Sequence, residues 1–312
     1  MTAVAGDARE DQLAWEARQR PRAGAAAIAS AILTLAGYIW LSVVLRDPPR
    51  AGFLESLRQA AEDGPIGELP SLHTPSLEFY VDQAAGVIGS GVVRALGMLT
   101  LAWVVTFIAV ATRARRPEFP RIAVYVTLVG GVLLAISYVV LPVAQVSAFD
   151  DVLDGSRTVD TVRDLDAGSF GVMGQLLGFI GQFTVAAGLM LVSLNAMRAG
   201  LLSRFLGILG VVAGVLGVLP QLMPMPIVQS FWLVAVGLLL LGANRAGMPP
   251  AWRTGRAEPW PTAREAANRR KEAEERRQGI RPEPQKAEPR PERVAAGRPH
   301  PSSKKRKRKR RD

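Results

Sequence analysis

The sequence predicts an all-α, polytopic transmembrane helix bundle of six spans, followed by a disordered basic cytoplasmic tail. Six long apolar runs are separated by polar segments, and 49% of the 312 residues are hydrophobic although the formal net charge is +11. The charge is unevenly distributed, because residues 244–312 contain 22 of the 38 basic residues and nine of the 27 acidic ones. One membrane domain followed by one basic segment is therefore the predicted organisation.

The apolar runs have lengths suited to a bilayer whose hydrocarbon core is about 30 Å thick. The first run is too long for the apolar core of a secretory signal and lacks a small-residue cleavage site, so we expect it to be retained. The runs are 25–45, 95–112, 122–146, 170–194, 205–223 and 227–243. The predicted parts are a cytoplasmic segment 1–24, a transmembrane domain 25–243, a juxtamembrane segment with a short charged helix 244–279, and a tail 280–312.

The arginines predict the orientation of the spans. Short cytoplasmic loops of membrane proteins are enriched in Lys and Arg. The loops 46–82 and 147–169 each contain four more acidic than basic residues, whereas the other side of the predicted bundle carries Arg18, Arg20, Arg22, Arg113, Arg115, Arg116, Arg121, Arg198, Arg204 and Arg245. We therefore expect both termini to be cytoplasmic. The bias towards Ala, Gly, Val and Arg is typical of a GC-rich bacterial genome, so the expected location is the plasma (inner) membrane of a bacterium.

Between these loops, short elements are expected on both sides of the membrane. An amphipathic helix is predicted over 53–63, a turn-rich stretch over 65–75, and a helix that runs from Leu77 through Val93 into the second span. The second acidic loop is predicted to be a partly helical cap. On the other side, Thr262 and Glu265 form a capping box that starts the charged helix of the juxtamembrane segment.

Two eleven-residue stretches, GVMGQLLGFIG and GILGVVAGVLG, share one glycine spacing of three, four and three residues. At about 100° per residue, these offsets place four glycines within an arc of roughly 80° on a helix. Small residues allow transmembrane helices to approach closely. We therefore predict an antiparallel hairpin of the fourth and fifth spans whose glycine faces meet. The glycines are Gly171, Gly174, Gly178 and Gly181, then Gly207, Gly210, Gly214 and Gly217.

Few polar residues fall within the predicted spans. Gln175 and Gln182 flank the first glycine face, where amides either hydrogen-bond across a helix contact or line a polar cavity. Gln229 lies nearer the side of the membrane that carries the two acidic loops, where its amide could line a shallow polar vestibule. Arg94, at the edge of the second span, is expected to reach headgroups or to pair with Asp82 or an acidic loop. The runs contain no Asp, Glu, Lys or His, which disfavours proton- or sodium-coupled transport.

Several kinds of chemistry are excluded or disfavoured. The absence of cysteine excludes disulfides, thiolate catalysis and cysteine metal sites. The sequence Gly-Ser-Gly around Ser90 is similar to the serine motif of rhomboid proteases, but those enzymes carry a histidine in a later span, and no predicted span here contains one. The aspartates within 150–154 do not have calcium-loop spacing. We therefore expect no enzymatic activity, no cofactor and no bound metal.

The chain ends in eight consecutive basic residues, preceded by a proline-rich stretch 281–301 that is expected to be disordered. Such a run is attracted to anionic lipid, by about 1 kcal/mol per residue near the surface, or to nucleic acid through counterion release. No aromatic residues are interleaved, so nucleic acid or the ribosome is less favoured than lipid. A solvated tail without a partner is the remaining alternative. The basic residues are Lys304, Lys305, Arg306, Lys307, Arg308, Lys309, Arg310 and Arg311.

Residues 201–261 resemble a family of uncharacterised actinobacterial six-span integral membrane proteins. The similar stretches are GLLSRFLGILGVVAGVLGVLP, PIVQSFWLVAVGLLLLG and PPAWRTGRAEPWP. The resemblance implies the six-span topology and contributes no catalytic residues, and the lysine-rich end lies outside it. Within the last stretch, Trp252 and Trp260 suit the headgroup zone, where an apolar ring and a polar N–H are both accommodated.

Two functions of different classes follow from these features. The first is a structural or interaction membrane protein whose basic tail contacts anionic lipid or a cytoplasmic partner. The alternative is a small transporter or channel for a neutral solute, lined by glutamines. A cavity that reaches Gln175 and Gln182 favours the alternative, and dry packing favours the first. The sequence leaves the oligomeric state open.

Overall fold

The computed structural model describes residues 2–49, 65–165, 168–218, 226–243 and 248–258, together with isolated positions elsewhere. Over these ranges the chain is helical and forms no strand, with one isolated bridge between Pro70 and Thr158. The chain divides into two compact units, Met1–Trp260 and Pro261–Asp312. All the ranges named above belong to the first unit.

The helices of the described ranges, in chain order, are α1 Thr2–Val44, α2 Thr74–Asp82, α3 Ala84–Arg115, α4 Arg121–Asp154, α5 Val159–Arg163, α6 Gly168–Arg198, α7 Arg204–Val218, α8 Ile227–Leu240 and α9 Ala251–Thr254. A 3-10 turn, Ile66–Glu68, precedes α2. Among the described residues, four candidate spans are long and apolar enough to cross a membrane: Arg9–Val44, Ala84–Arg115, Arg121–Asp154 and Val159–Arg198. The helices α7 and α8 are apolar but shorter.

Six of these helices pack as a closed ring. In order round the ring, α1 contacts α3, which contacts α4, which contacts α6, and α7 and α8 lead back to α1. The helix α3 also contacts α6 across the ring and is the most buried of the four long helices. Its side chains Leu101, Val104 and Ile108 are fully buried. The core therefore lies along α3.

Large apolar side chains cover the outer surface of the ring. Tyr125 of α4 and Phe179 of α6 are 64% and 65% exposed, and Phe205 of α7 and Phe231 of α8 are similarly exposed. A continuous apolar surface of this kind is rare on soluble monomers and suits contact with lipid chains. Inside, the Ser30 hydroxyl donates to the Gly97 carbonyl at 2.7 Å, which joins α1 to α3 without a charge. This distribution is that of a membrane protein.

The first glycine face lies against α4. A Cβ atom placed on Gly174 would be 2.8 Å from Val140, and one placed on Gly181 would be 2.6 Å from the backbone nitrogen of Leu134. Gly178 faces the Ser137 side chain of α4, and Gly171 is buried. The close approach of α4 and α6 therefore depends on these glycines.

The second glycine face lies against the carboxyl-terminal half of α6. A Cβ atom on Gly207 would be 2.6 Å from Met197, and one on Gly214 would be 2.6 Å from Met190. Gly210 faces Ser193, and Gly217 faces Gln182 at the ordinary distance of 3.5 Å. The α6–α7 hairpin is antiparallel, but the predicted contact between the two glycine faces is wrong. The glycine side of α6 lies against α4, and α7 packs against another side of α6, which carries Met190, Ser193 and Met197.

Several predicted boundaries also differ from the structure. The helix α1 begins at Thr2 rather than at residue 25, and α4 continues to Asp154 rather than ending near residue 146. The helix expected to run from Leu77 into the second span is interrupted at Gln83, where α2 ends and α3 begins. The predicted helix 53–63, the end of the fifth run and the charged juxtamembrane helix lie outside the described ranges.

An acidic cap, formed by residues 65–82 and 149–165, covers one end of the ring. Its small core contains Leu77 of α2 with Val152 and Leu153 of α4. Arg157 and Glu78 form an ion pair at 2.8 Å, and backbone bonds join the two segments of the cap. We call the opposite end, where α3 ends and α4 begins, the arginine end.

The glycine contacts predict opposite outcomes for two matched substitutions. In Gly181→Ala the new methyl group meets the α4 backbone, which cannot rotate away, so we expect a loss of about 1–3 kcal/mol in the free energy of unfolding. In Gly217→Ala the nearest atom is 3.5 Å away, so we expect little change. Thermal unfolding of both variants in detergent measures the difference, and equal midpoints would contradict this packing.

Candidate functional site

A buried ion pair at the arginine end joins α1 to α3. The Arg115 Nη1 and Nη2 atoms donate to the two carboxylate oxygens of Glu16, each at 2.7 Å. The two side chains are only 1% and 2% exposed. Paired N–H···O bonds of this kind are the geometry in which a guanidinium and a carboxylate bind each other most strongly.

The rest of the Arg115 guanidinium binds the polypeptide backbone. Nε and Nη2 donate to the Ala251 carbonyl at 2.9 and 2.8 Å, and Nη1 also donates to the Ala111 carbonyl at 2.9 Å. All five N–H groups therefore have an acceptor. A buried ion pair is tolerated when its remaining polar groups are satisfied in this way.

Trp252 completes this cluster. Its ring lies 5.2 Å from Arg115 Cζ and stacks on Phe107 at 5.8 Å, and its Nε1 donates to the Leu201 carbonyl at 3.1 Å. The ring is therefore buried in protein rather than in the headgroup zone, because it has both an aromatic partner and an acceptor there. Trp260 lies outside the described residues. We call Glu16, Arg115, Ala251 and Trp252 the C-terminal lock.

A second cluster lies nearer the acidic cap and contains Arg94 of α3. Its Cζ atom is 5.3 Å from the centre of the Tyr38 ring and 4.8 Å from that of Tyr138, and the two tyrosine hydroxyls are 3.2 Å apart. Among the described residues no carboxylate lies within 4.0 Å of Arg94, so the predicted pairing with Asp82 or an acidic loop is wrong for this part of the chain. Asp82 is twelve residues away, at the end of α2 and beyond the break at Gln83.

The two tyrosines also line a cavity of about 80 Å³, together with Gln182 and Gln229, whereas Arg94 is not among the described residues that line it. We call this cavity the vestibule. The Gln182 amide donates to the Gly217 carbonyl, whereas the buried Nε2 atom of Gln229 has no hydrogen-bond partner. Most of the remaining lining is apolar, including Met98 and Leu134.

Gln175 does not share this position with Gln182. It is exposed on the outside of α6, and the vestibule does not reach it. The helix α7, which supplies the acceptor for Gln182, ends at Val218, about two helical turns short of Gln175. The two amides are therefore in different surroundings although their spacing places them on one helix face.

Other candidate groups lie apart from both clusters. The Ser90 hydroxyl is buried and donates to the Val87 carbonyl at 2.7 Å, while His73 is exposed in the acidic cap and makes no hydrogen bond with it. The Tyr80 hydroxyl donates to Gln145 Oε1 at 2.9 Å. Burial raises the pKa of Tyr80 above its usual 10.0, and the charge of Arg94 partly offsets this. The basic run from Lys304 to Arg311 lies outside the described residues.

The C-terminal lock was not predicted, because Arg115 was counted only among the arginines of the cytoplasmic side and Glu16 was not singled out. A signal for Glu16 is nevertheless present in the sequence. The buried face of α1 repeats at spacings of seven, four, three and four, and it includes Glu16, Ala23, Ala27, Ser30 and Thr34. A carboxylate on an otherwise small and uncharged face indicates a buried partner.

Comparisons with protein-family models, with curated proteins and with solved structures found no match for this chain. Arguments about its function therefore depend on its own residues.

Two neighbouring arginines test the lock. Arg115→Leu leaves the Glu16 carboxylate buried without its partner, so we expect a loss of about 3–5 kcal/mol in the free energy of unfolding. The control is Arg116→Leu, because Arg116 forms only an exposed pair with Glu118 at 3.4 Å, worth about 0–1 kcal/mol. Chemical denaturation in detergent micelles gives both values. A small, equal effect of the two substitutions would show that the lock contributes little.

Proposed function

We propose that this chain is a six-span, multi-pass protein of the bacterial plasma membrane that acts as a non-enzymatic interaction protein. The ring supports six spans, because α7 and α8 occupy full positions in it between α6 and α1. Their outward residues Phe205 and Phe231 are as exposed and apolar as those of the long helices. The helical rise of α7 and α8 is about 22 and 21 Å, and neither has a charged residue after Arg204.

The distribution of charge supports cytoplasmic termini. Arg113, Arg115, Arg116 and Arg121 cluster between α3 and α4 at the arginine end, and the acidic cap lies at the other end. Cytoplasmic loops are the ones enriched in basic residues. On this rule the arginine end faces the cytoplasm, together with the start of α1 and the segment that follows α8.

The C-terminal lock carries the functional proposal. It binds residues 248–258 to the arginine end through Ala251 and Trp252, so the chain leaves the helical bundle for its basic segment from a fixed point. Because the chain is anchored in the membrane, this attachment keeps the basic run at a high effective concentration near the adjacent lipid surface. We propose that Lys304 to Arg311 contact anionic lipid headgroups, or a cytoplasmic partner with the same acidic character.

The vestibule supports a second function, the passage or binding of a small neutral solute. Its volume of about 80 Å³ is well below the roughly 300–1,000 Å³ of sites for drug-sized ligands, so only a solute of a few atoms fits. Gln182 and Gln229 supply amides for such a solute. The positive charge of Arg94 opposes the entry of cations.

Single cysteines test the orientation, because the chain has none of its own. Ser156→Cys introduces a thiol in the acidic cap, and Thr254→Cys introduces one at the end of α9; both positions are exposed. In intact cells we expect a membrane-impermeant maleimide to label only Ser156→Cys, and to label Thr254→Cys after permeabilisation. The unchanged chain provides the blank. Labelling of Thr254→Cys in intact cells would reverse the proposed orientation.

Energy transfer tests the role of the basic run. A dye on Ser303→Cys, in full-length protein in nanodiscs, reports the distance to acceptor lipids. Transfer is expected to rise when phosphatidylglycerol is added to phosphatidylcholine, and to return to the neutral-disc value when all eight basic residues are replaced by Gln.

The matched control replaces the four lysines of the run by arginine, which keeps the charge and is expected to keep the transfer. Added RNA at the same ionic strength shows whether nucleic acid competes. Equal transfer in the wild-type and Gln variants would refute lipid contact by this run.

A further inference from the structure

Arg94 has hydrogen-bonding capacity that the protein does not use. A guanidinium has five N–H groups, and here only Nε has an acceptor, the Ser90 carbonyl at a long 3.4 Å. Among the described residues, neither Nη atom has a hydrogen-bond partner, and neither is fully enclosed by protein. Four N–H donors of a partly buried cation are therefore open to a ligand.

The groups around Arg94 do not neutralise its charge. The Tyr38 and Tyr138 rings attract the cation through their faces, but both rings are neutral. Their hydroxyls share one hydrogen bond, so one O–H hydrogen remains free to donate. The unused polar groups of this region are donors, and a group rich in acceptors complements them.

From this arrangement we propose that Arg94 binds the oxyanion of a carboxylate or phosphate group, with the free hydroxyl hydrogen of the Tyr38–Tyr138 pair as a further donor. Guanidinium donors match the geometry of both groups. Tyr38 and Tyr138 also line the vestibule, so the proposed site adjoins that cavity, although Arg94 itself is not among the residues that line it. The site is separate from the basic C-terminal run and does not depend on it.

The oxyanion has two sources, an amphiphile from the bilayer or a free anion from solution. Arg94 lies about 15 Å along α3 from its start at Ala84, by helical rise. The exposed apolar residues Val92 and Leu96, each two positions from Arg94, lie on the opposite side of α3 from it, about 160° away. The anionic head of an amphiphile would therefore enter between the helices from the bilayer, and a free anion would enter from solution.

Equilibrium dialysis of the full-length protein in a neutral maltoside detergent tests the site. The probes are dodecyl phosphate and lauric acid for the amphiphiles, and inorganic phosphate and acetate for the free anions, at a salt concentration that screens the charge of the basic C-terminal run. We expect at least tenfold weaker binding of the preferred probe to Arg94→Gln than to wild type, with Arg94→Lys between them. Arg113→Gln, on the same helix at the arginine end, is expected to bind like wild type.

The outcomes distinguish the two sources of the oxyanion and decide whether the proposal holds. Binding of the amphiphiles alone identifies the bilayer as the source, and equal binding of the free anions identifies solution. If Arg94→Gln does not fold, the double variant Tyr38→Phe/Tyr138→Phe takes its place, with a several-fold loss expected. Binding unchanged by either substitution, or no binding of any probe to wild type, would overturn the proposal.

Discussion

The buried pair of Glu16 and Arg115 is the interaction on which the arginine end of this protein depends. It connects three separate parts of the chain, because Glu16 belongs to α1, Arg115 ends α3, and the same guanidinium holds the Ala251 carbonyl beyond α8. Desolvating two charges costs several kcal/mol each, and only complete hydrogen bonding offsets that cost. Neither partner can therefore be replaced alone without a large loss of stability, because the remaining charge would be buried without its counterion. The segment that leads to the basic tail is fixed by the same atoms that fix the first helix.

The helices of the ring are held together by close backbone contacts at glycines rather than by an ion pair. The first and last helices of the ring meet where a Cβ atom on Gly237 would lie 2.9 Å from the Gly24 carbonyl oxygen, and α4 meets α6 where one on Gly181 would lie 2.6 Å from the Leu134 nitrogen. In lipid, apolar helices gain little from leaving the solvent, so dispersion at close backbone contact must hold them together. Glycine permits that contact because it has no side chain. The ion pair and the glycine contacts act together, since the pair aligns the ends of helices whose spacing the glycines set.

Sequence reasoning predicted the helical, apolar character of the chain but not which helix faces which. A glycine spacing defines one face of one helix, and it cannot identify the neighbour: Gly174 and Gly181 proved to face α4, which offers the small residues Gly130 and Ser137. The predicted helix boundaries were wrong where a polar sequence remains helical, as in the first 24 residues, where α1 begins at Thr2. Arg94 could be recognised as unusual from its place in the sequence, but its tyrosine neighbours come from α1 and α4, and no local pattern connects them. The lock was missed for the same reason, although the periodic face of α1 pointed to Glu16.

The two arginines of α3 show how one residue type serves two roles in one helix. Arg115 and Arg94 are 21 residues apart, about 32 Å along the axis. At Arg115 every N–H group has a protein acceptor and a carboxylate balances the charge, so nothing remains for a ligand. At Arg94 the aromatic faces steady the guanidinium without neutralising it, and most of its donors are unused. Because Arg94 is kept in the bundle at a cost in desolvation and no carboxylate among the described residues pairs with it, the anion proposed above would supply its counterion. Arg115, whose donors are all used, therefore belongs to the part of α3 that stabilises the fold. Arg94, most of whose donors are unused, belongs to the part at which we propose binding.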